Sequence, residues 1–332
     1  MAVSLLLQPQ SIMGLYERFA SLTPSPLLGF FPDRPVVGRE TTIQYDTITY
    51  TRDVAKLNVR GGRPNTVKPP ARGTVVSMAI NVSEETYLPA RVVNDLRAPG
   101  STTPGSADAE LSRHILQLRK RIMALKTRMA AQALGTAAGN LSFTLPGAAA
   151  AETVSLNYRA THQTFGSGWN TSTTDILAQI NAAKRLITKD AGKQATAMIM
   201  NSTTGAYLTK NDGIMDVLSP AAMDAYRQAG RIERLCNLDI IYIDDVEVND
   251  DTEVETGIIP DAFVAIIAGD NSDRGMLECA PQSKHAPPSY RGIFFHVKEE
   301  MDINGGWFVQ NQYDFLPMLA CPDDVVYDAS VT

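Results

Sequence analysis

Cysteine is scarce in this 332-residue chain, which has only Cys236, Cys279 and Cys321, far apart and without a Cys-x-x-Cys pair. An odd number at this spacing argues against a disulfide framework or a zinc finger and indicates a reducing compartment. Long apolar runs are also missing, because no stretch approaches the roughly 20 residues that span a bilayer. The N-terminal segment lacks the basic region of a signal peptide. We therefore expect a soluble protein, made in the cytoplasm, with no membrane partner.

Catalytic signatures are lacking as well. The segment Asp190–Thr196 resembles a phosphate-binding loop, but Ile187 stands where that loop requires glycine. No Gly-x-Ser-x-Gly elbow and no His-Glu-x-x-His pair occurs, and the four histidines are scattered. The acidic stretch Asp244–Glu255 lacks the glycine and the spacing of a calcium-binding loop. The sequence therefore predicts no catalytic residue, no cofactor, no metal site and no enzyme.

Charge is unevenly distributed along the chain, although the net charge is only −6. The segment Arg52–Arg72 carries six basic residues and one acid, whereas Asp244–Glu255 carries seven acids and no base. Opposite charges on one chain suit copies that dock on each other. The alternative is that both segments are solvated loops.

The first third of the sequence predicts an arm followed by a hairpin. Four prolines between Pro24 and Pro35 interrupt any helix in the arm. The segments Thr41–Thr51 and Gly73–Ser83 alternate and are rich in β-branched residues, so both are predicted strands. They are joined by the basic, Pro- and Gly-rich Asn58–Gly73. A lone hairpin is marginally stable in water, so this one must pack on its own body or on a partner.

A long amphipathic helix is predicted at Ala107–Leu134, with Gly135 as its stop. Its basic residues have no acid among them: Arg113, Arg119, Lys120, Arg121, Lys126 and Arg128. Such a row binds phosphates, which makes a nucleic-acid-binding protein one alternative. No DNA-reading motif surrounds the row, and a solvated face or one that meets acidic neighbours is the other interpretation.

The remainder mixes strands and helices, which gives the class α+β. Helices are predicted at Thr174–Asp190 and Ser219–Gly230, and a buried strand at Ala195–Asn201. The sequences "YRGIFFHVKEE" and "GWFVQNQYDFLPML" predict a long hairpin near the end.

Several segments together carry a resemblance to a known family. They are "VGRETTIQYD", "RGGRPNTVKPP", the long helix and "GWFVQNQYDFLPMLACPDDVV". From about Phe30 to Val326 the chain resembles a major capsid protein of tailed bacteriophages, nearest to the lambda-like (gene E) branch of the Hong Kong 97-type capsid fold.

The resemblance implies a division of the chain into named regions. These are an N-terminal arm (1–40), an extended β-hairpin loop (41–90), a peripheral domain (91–165) with the spine helix 107–134, an axial domain (166–280) and a return to the peripheral domain (281–332). In that family the arm and the extended loop reach over neighbouring subunits.

The implied function is that of a major capsid (head) protein, which self-assembles into the icosahedral shell around the packaged phage genome. The implied location is the virion, after assembly in the host bacterial cytoplasm. The implied partners are further copies in pentamers and hexamers, double-stranded DNA bound non-specifically, a portal, and decoration and scaffolding proteins. The alternatives are an encapsulin-type compartment shell protein and an intracellular nucleic-acid-binding protein.

Contacts between subunits are expected at charged residues of the two opposite segments. The basic candidates are Arg60, Arg63, Lys68 and Arg72, and the acidic candidates are Asp244, Asp245 and Glu247.

Overall fold

The computed structural model describes residues 25–36, 42–49, 71–89, 107–143, 152–248, 254–281, 286–287, 290–300 and 306–332. The candidates Arg60, Arg63 and Lys68, and most of the predicted N-terminal arm, lie outside these residues. The described part mixes helices with many strands, which confirms the α+β class.

Five α-helices are described: α1 Ala107–Ala131, α2 Ile176–Asp190, α3 Ser202–Lys210, α4 Asp212–Val217 and α5 Pro220–Ala229. Short 3-10 turns lie at Pro26–Phe30, Ala160–His162 and Pro322–Asp324. The predicted helices correspond to α1, α2 and α5, whereas α3 and α4 were not predicted. None of the described helices is long and apolar enough to span a membrane.

The first eight strands are β1 Asp33–Pro35, β2 Thr42–Thr49, β3 Ala71–Met78, β4 Ile80–Pro89, β5 Asn140–Phe143, β6 Glu152–Ser155, β7 Ala195–Met200 and β8 Arg234–Leu235. The other eight are β9 Leu238–Tyr242, β10 Val246–Val248, β11 Glu255–Gly257, β12 Val264–Ala268, β13 Arg274–Glu278, β14 Phe294–Glu300, β15 Gly306–Leu319 and β16 Val325–Asp328.

The spine helix α1 buries one stripe, as its sequence period predicts. Leu111, Ile115 and Ile122 are fully buried against the neighbouring sheet and turn. A single π-helical turn, Gln132–Thr136, follows the last α-helical residue. Gly135 lies there at φ +110°, and a Cβ at this position would meet the Tyr327 ring at 2.3 Å. Glycine therefore ends the helix because both the backbone angle and the space require it.

One sheet lies beside the spine helix, in the order β1-β13-β15-β14, with β4 on the opposite edge of β15. The long strand β15 pairs antiparallel with β14 through the predicted terminal hairpin. At Phe315 it pairs with Glu278 on one side and with Ile80 of β4 on the other. The strand predicted at Gly73–Ser83 is therefore two strands, which separate at Ala79 and enter different sheets.

A second sheet has the order β16-β12-β7-β9-β8 and is the centre of a second hydrophobic core. Its middle strand β12 is buried at every residue. The sheets do not follow the predicted boundary at residue 280. Strand β13, before that boundary, pairs with β15 of the first sheet, and β16, after it, pairs with β12 of the second. The region before residue 280 therefore contributes β13 to the first sheet, and the region after it contributes β16 to the second sheet.

The described residues also contain three two-stranded units: β2–β3, β5–β6 and β10–β11. The antiparallel pairing of β2 with β3 runs from Thr42–Met78 to Thr49–Ala71, which confirms the strands of the predicted extended hairpin. We refer to β2–β3 as the hairpin and to β10–β11 as the acidic arm.

Candidate inter-subunit surfaces

The hairpin has one face packed on its own chain. Ile43, Tyr45 and Val75 are buried in the first hydrophobic core. The Ile48 N–H donates a hydrogen bond to the Ala320 carbonyl oxygen at 2.7 Å. Burial raises the pKa of the Tyr45 hydroxyl to about 12. The base of the hairpin therefore belongs to the folded single chain.

The other face of the hairpin is open. Arg72, Thr74, Val76 and Met78 alternate along β3 and are all exposed. Val76 is 59% exposed and Met78 51% exposed, and because they lie two residues apart on one face of β3 they form a small apolar patch. Of the four predicted basic contact residues, Arg72 is the described one, and it lies on this outward face.

The three predicted acidic residues have different environments. Asp244 accepts hydrogen bonds from the Ser202 N–H, at 2.7 Å, and from the Ser202 hydroxyl. It therefore ties the start of the acidic arm to the start of α3. Asp245 is exposed. Glu247 forms an ion pair with Arg128 of the spine helix at 3.4 Å, so one of the acids meets a base within its own chain.

Three basic side chains of the spine helix likewise form ion pairs with acidic residues of the same chain. Arg121 pairs with Glu84 at 2.8 Å, and Arg128 pairs with Glu247. Lys126 donates a hydrogen bond to Asp33 at 2.5 Å and lies 3.6 Å from Glu278. These three residues of the basic row therefore meet acidic neighbours, which agrees with the second of the two interpretations of the sequence. This pairing removes much of the charge that a nucleic-acid site on the helix would need.

An open groove lies between the spine helix, β4 and the acidic arm. Ala124 and Leu125 line it from the helix, and Val82 from β4. Val246 and Val248 line it from the arm, and each is 53% exposed. The two ion pairs of Arg121 and Arg128 hold these walls together. The groove is thus lined by five apolar and five charged side chains, together with Thr256.

The described residues also contain a buried ionic network that the sequence did not reveal. Lys193 Nζ donates to Asp273 at 2.6 Å and to Asp324 at 2.7 Å, and Asp324 is fully buried. Burial alone lowers the pKa of Lys193, but the hydrogen bonds to the two carboxylates outweigh it, so the pKa is raised. Arg159 pairs with neighbouring Asp323 at 3.0 Å. Residues 323 and 324 connect β15 to β16, so the network fastens the two sheets where the chain crosses between them.

Cys321 lies close to Asp273 and Asp324, a grouping that resembles a metal-ligand set. The two carboxylates are already paired with the Lys193 ammonium group. Burial, with the neighbouring Asp324, raises the pKa of the Cys321 thiol, which opposes the thiolate that a metal ion needs. These residues therefore fit a structural ion pair better than a metal site, and the absence of a metal remains a prediction.

Comparison with known proteins identifies a family. The family model for phage major capsid protein E matches residues 27–327. No curated protein matches the chain in sequence.

Solved structures share the fold at low sequence identity. A prophage capsid protein of Escherichia coli CFT073 is 11% identical with a TM-score of 0.67, over 98% of this chain and 99% of that one. A phage-related protein of Bordetella bronchiseptica RB50 is 10% identical with a TM-score of 0.60, over 98% and 97%. The capsid of cyanophage P-SCSP1u gives 10% identity and a TM-score of 0.55, over 94% and 90%. These likenesses confirm the predicted Hong Kong 97-type fold.

Proposed function

The chain belongs to the phage major capsid protein E family, whose members form the head shell of the virion, and we propose that it closes this shell by ring-forming contacts in pentamers and hexamers. The observation that carries the proposal is the family match across nearly the whole chain. Identical copies form closed rings when one surface patch binds a different patch on the next copy. The open hairpin face and the acidic arm are two such different patches.

The charged candidates take specific roles in this proposal. Arg60, Arg63, Lys68 and Arg72 supply the positive side of the contact. On the negative side, exposed Asp245 meets the neighbour directly. Asp244 and Glu247 contribute negative potential while they also hold the arm to its own chain through Ser202 and Arg128. Exposed ion pairs contribute about 0.2–1 kcal/mol each, so many weak contacts per shell would add up.

Further partners follow from this role. The shell encloses double-stranded DNA without sequence preference, a portal occupies one vertex, and scaffolding and decoration proteins act during and after assembly. Assembly takes place in the host bacterial cytoplasm. The chain itself catalyses no reaction in this proposal, which the structural role of the capsid protein family supports. An encapsulin-type shell would share the fold but enclose a protein cargo instead of the genome.

Electron microscopy of the purified protein tests the proposal. The parent chain should form closed shells. A variant with Arg60, Arg63, Lys68 and Arg72 all replaced by Gln should keep its circular dichroism spectrum but lose shells. High salt should partly reproduce that loss in the parent protein, because it screens exposed charges.

The matched control replaces exposed basic residues away from the hairpin, Lys189 and Lys210, by Gln. It should assemble as the parent does. Normal assembly of the quadruple variant, with the parent's salt dependence, would show that these charges make no contact between subunits. A parent chain that forms no closed particle under any assembly condition would refute the shell function.

A further inference from the structure

His162 lies at a junction of three segments of the described chain. It is the last residue of the 3-10 turn Ala160–His162 and is fully buried. Its Nδ1 lies 3.0 Å from the carbonyl oxygen of Val325, the first residue of β16. Its Nε2 lies 3.0 Å from Oδ2 of Asp190, the last residue of α2. One imidazole ring therefore joins the turn, helix α2 and the second sheet.

Both contacts of this ring are with hydrogen-bond acceptors. A backbone carbonyl oxygen only accepts, so Nδ1 must carry the proton of the contact with Val325. An ionised carboxylate also only accepts, so Nε2 must carry a second proton for the contact with Asp190. A neutral imidazole has a single N–H and satisfies only one of the two contacts. The geometry therefore requires an imidazolium ion, unless the Asp190 carboxyl itself holds the shared proton.

The charges around the ring favour the proton on the histidine. Arg159 lies 3.4 Å from Asp190 Oδ1 and 3.0 Å from Asp323 Oδ1, so one guanidinium faces two carboxylates. The two acid side chains are largely buried, at 13% and 4% exposed. Burial raises the pKa of the Asp323 carboxyl, and the charges of Arg159 and of His162 act against that rise. A positive ring therefore balances the second carboxylate.

The other ionisable groups on the elements around the ring are solvated, paired or neutral. Lys189 of α2 is exposed, and Lys193, beyond the end of α2, pairs with Asp324. In β16, Asp328 accepts hydrogen bonds from two backbone N–H groups at 2.9 Å. Tyr327 of β16 stays neutral near pH 7, because burial raises its pKa to about 12. Among the described residues, the histidine ring is therefore the group placed to supply the second positive charge.

We propose that His162 is held as an imidazolium ion and acts as a pH-dependent clamp between the 3-10 turn, α2 and β16. While the ring carries both protons, both hydrogen bonds are made and the two carboxylates face two cations. When the ring loses one proton, a hydrogen bond is lost and a buried negative charge is left without a partner. The unfolded chain makes neither contact and so holds the proton less firmly. The clamp therefore contributes stability at low pH that is lost as the pH rises.

NMR of the unassembled chain with 15N-labelled histidine tests the protonation directly. At pH 7.5, an exposed histidine is about nine-tenths neutral. Both ring nitrogens of His162 should nevertheless show the 15N shifts of protonated nitrogens, with protons that exchange slowly with water. The variant His162→Gln assigns the signals by their loss, and Asp190→Asn assigns them by their displacement if the first variant does not fold. A ring with only one protonated nitrogen at this pH would overturn the proposal.

Urea unfolding at several pH values tests the clamp itself. Histidine changes its charge between about pH 5 and 8. Across this range the parent's urea midpoint should fall as the pH rises, whereas His162→Gln should begin lower and fall less, because it carries no titrating ring. The matched control is His114→Gln on the spine helix, where a half-buried ring lies 3.2 Å from the Thr86 hydroxyl. It should keep the parent's pH dependence.

A second variant separates the charge of the clamp from its shape. Asp190→Asn keeps an oxygen that accepts from the ring but removes the negative charge that favours imidazolium. It should fold and should also flatten the pH dependence of the urea midpoint. The parent's pH dependence in both His162→Gln and Asp190→Asn would overturn the proposal. All these measurements use the unassembled chain, so their failure would leave the shell function untouched.

Discussion

The sheet around β12 and the hairpin β2–β3 contain similar apolar residues, but the chain buries them to different extents. Val264–Ala268 is apolar throughout and buried on both faces, with β7 and β16 paired on its two edges. The hairpin buries Ile43, Tyr45 and Val75 on one face but leaves Val76 and Met78 in solvent on the other. The sheet around β12 is completed within one chain, whereas the hairpin has a face that no described residue of the chain covers.

This difference separates folding from assembly. Substitutions in the completed sheet should act on the stability of the single chain, whereas substitutions on the open face should act on the shell. The predictions below test that separation, from the largest expected effect on stability to the smallest.

The largest effect is expected at the buried ionic network. Lys193→Met leaves the fully buried Asp324 without its cation, and breaking a buried pair in this way costs about 3–5 kcal/mol. Urea unfolding of the unassembled chain measures the loss. The double variant Lys193→Met/Asp324→Leu should recover part of it, because no unpaired charge remains. A loss below about 1 kcal/mol for the single variant would contradict a role of this pair in joining the two sheets.

A matched pair of apolar truncations compares the two strand systems directly. Ile266→Ala in β12 should destabilise the single chain by about 2–5 kcal/mol, since it opens a cavity in a closed core. Val76→Ala on the open face should change that stability by no more than about 0.5 kcal/mol, yet raise the concentration at which shells form. Equal effects of the two variants on unfolding would erase the proposed distinction.

Alkaline pH should reveal whether the hairpin base is docked in the single chain. Tyr45 has its pKa raised from 10.0 to about 12 by burial, so its contribution to stability is present below pH 10 and is lost as the pH rises towards 12. Two pKa units correspond to about 2.7 kcal/mol. Tyr45→Phe should lose less stability between pH 10 and 12 than the parent does. Identical pH profiles would mean that Tyr45 is solvated.

How far the sequence predicts this structure depends on the range of the interactions. The spine helix and the hairpin strands follow from local periodicity, so the sequence predicts them well. Helix α3 contains Thr203, Thr204 and Gly205, which are weak helix formers. It forms because Asn201 caps it and because Gly205 lets the Tyr242 ring pack closely, and the second of these contacts is tertiary.

The ionic network was unpredictable for the same reason. Lys193 donates hydrogen bonds to Asp273 and Asp324, which lie 80 and 131 residues away in the sequence, so no local sequence pattern predicts these contacts. The predicted contact residues stay a prediction. Arg72 does lie on an open face, whereas the internal bonds of Asp244 and Glu247 depend on where α3 and the spine helix lie in the fold.

The smallest effect on stability is expected at the groove wall. Arg128 and Glu247 are 43% and 31% exposed, and a half-exposed pair of this kind contributes about 0.2–1 kcal/mol. A double-mutant cycle with Arg128→Gln and Glu247→Gln should give a coupling in that range. A coupling near zero would mean that the acidic arm is not held to the spine helix by this pair.

Hydrogen exchange of the same protein, unassembled and in shells, tests most directly whether the hairpin β2–β3 is covered by a second copy. Amides of β12 should exchange slowly in both states, because their bonds are made within one chain. Amides of β2 and β3 should exchange faster than those of β12 in the unassembled chain, because a two-stranded unit is only marginally stable, and should become strongly protected in shells. Equal exchange of the hairpin amides in both states would contradict a contact of the hairpin with a neighbouring subunit.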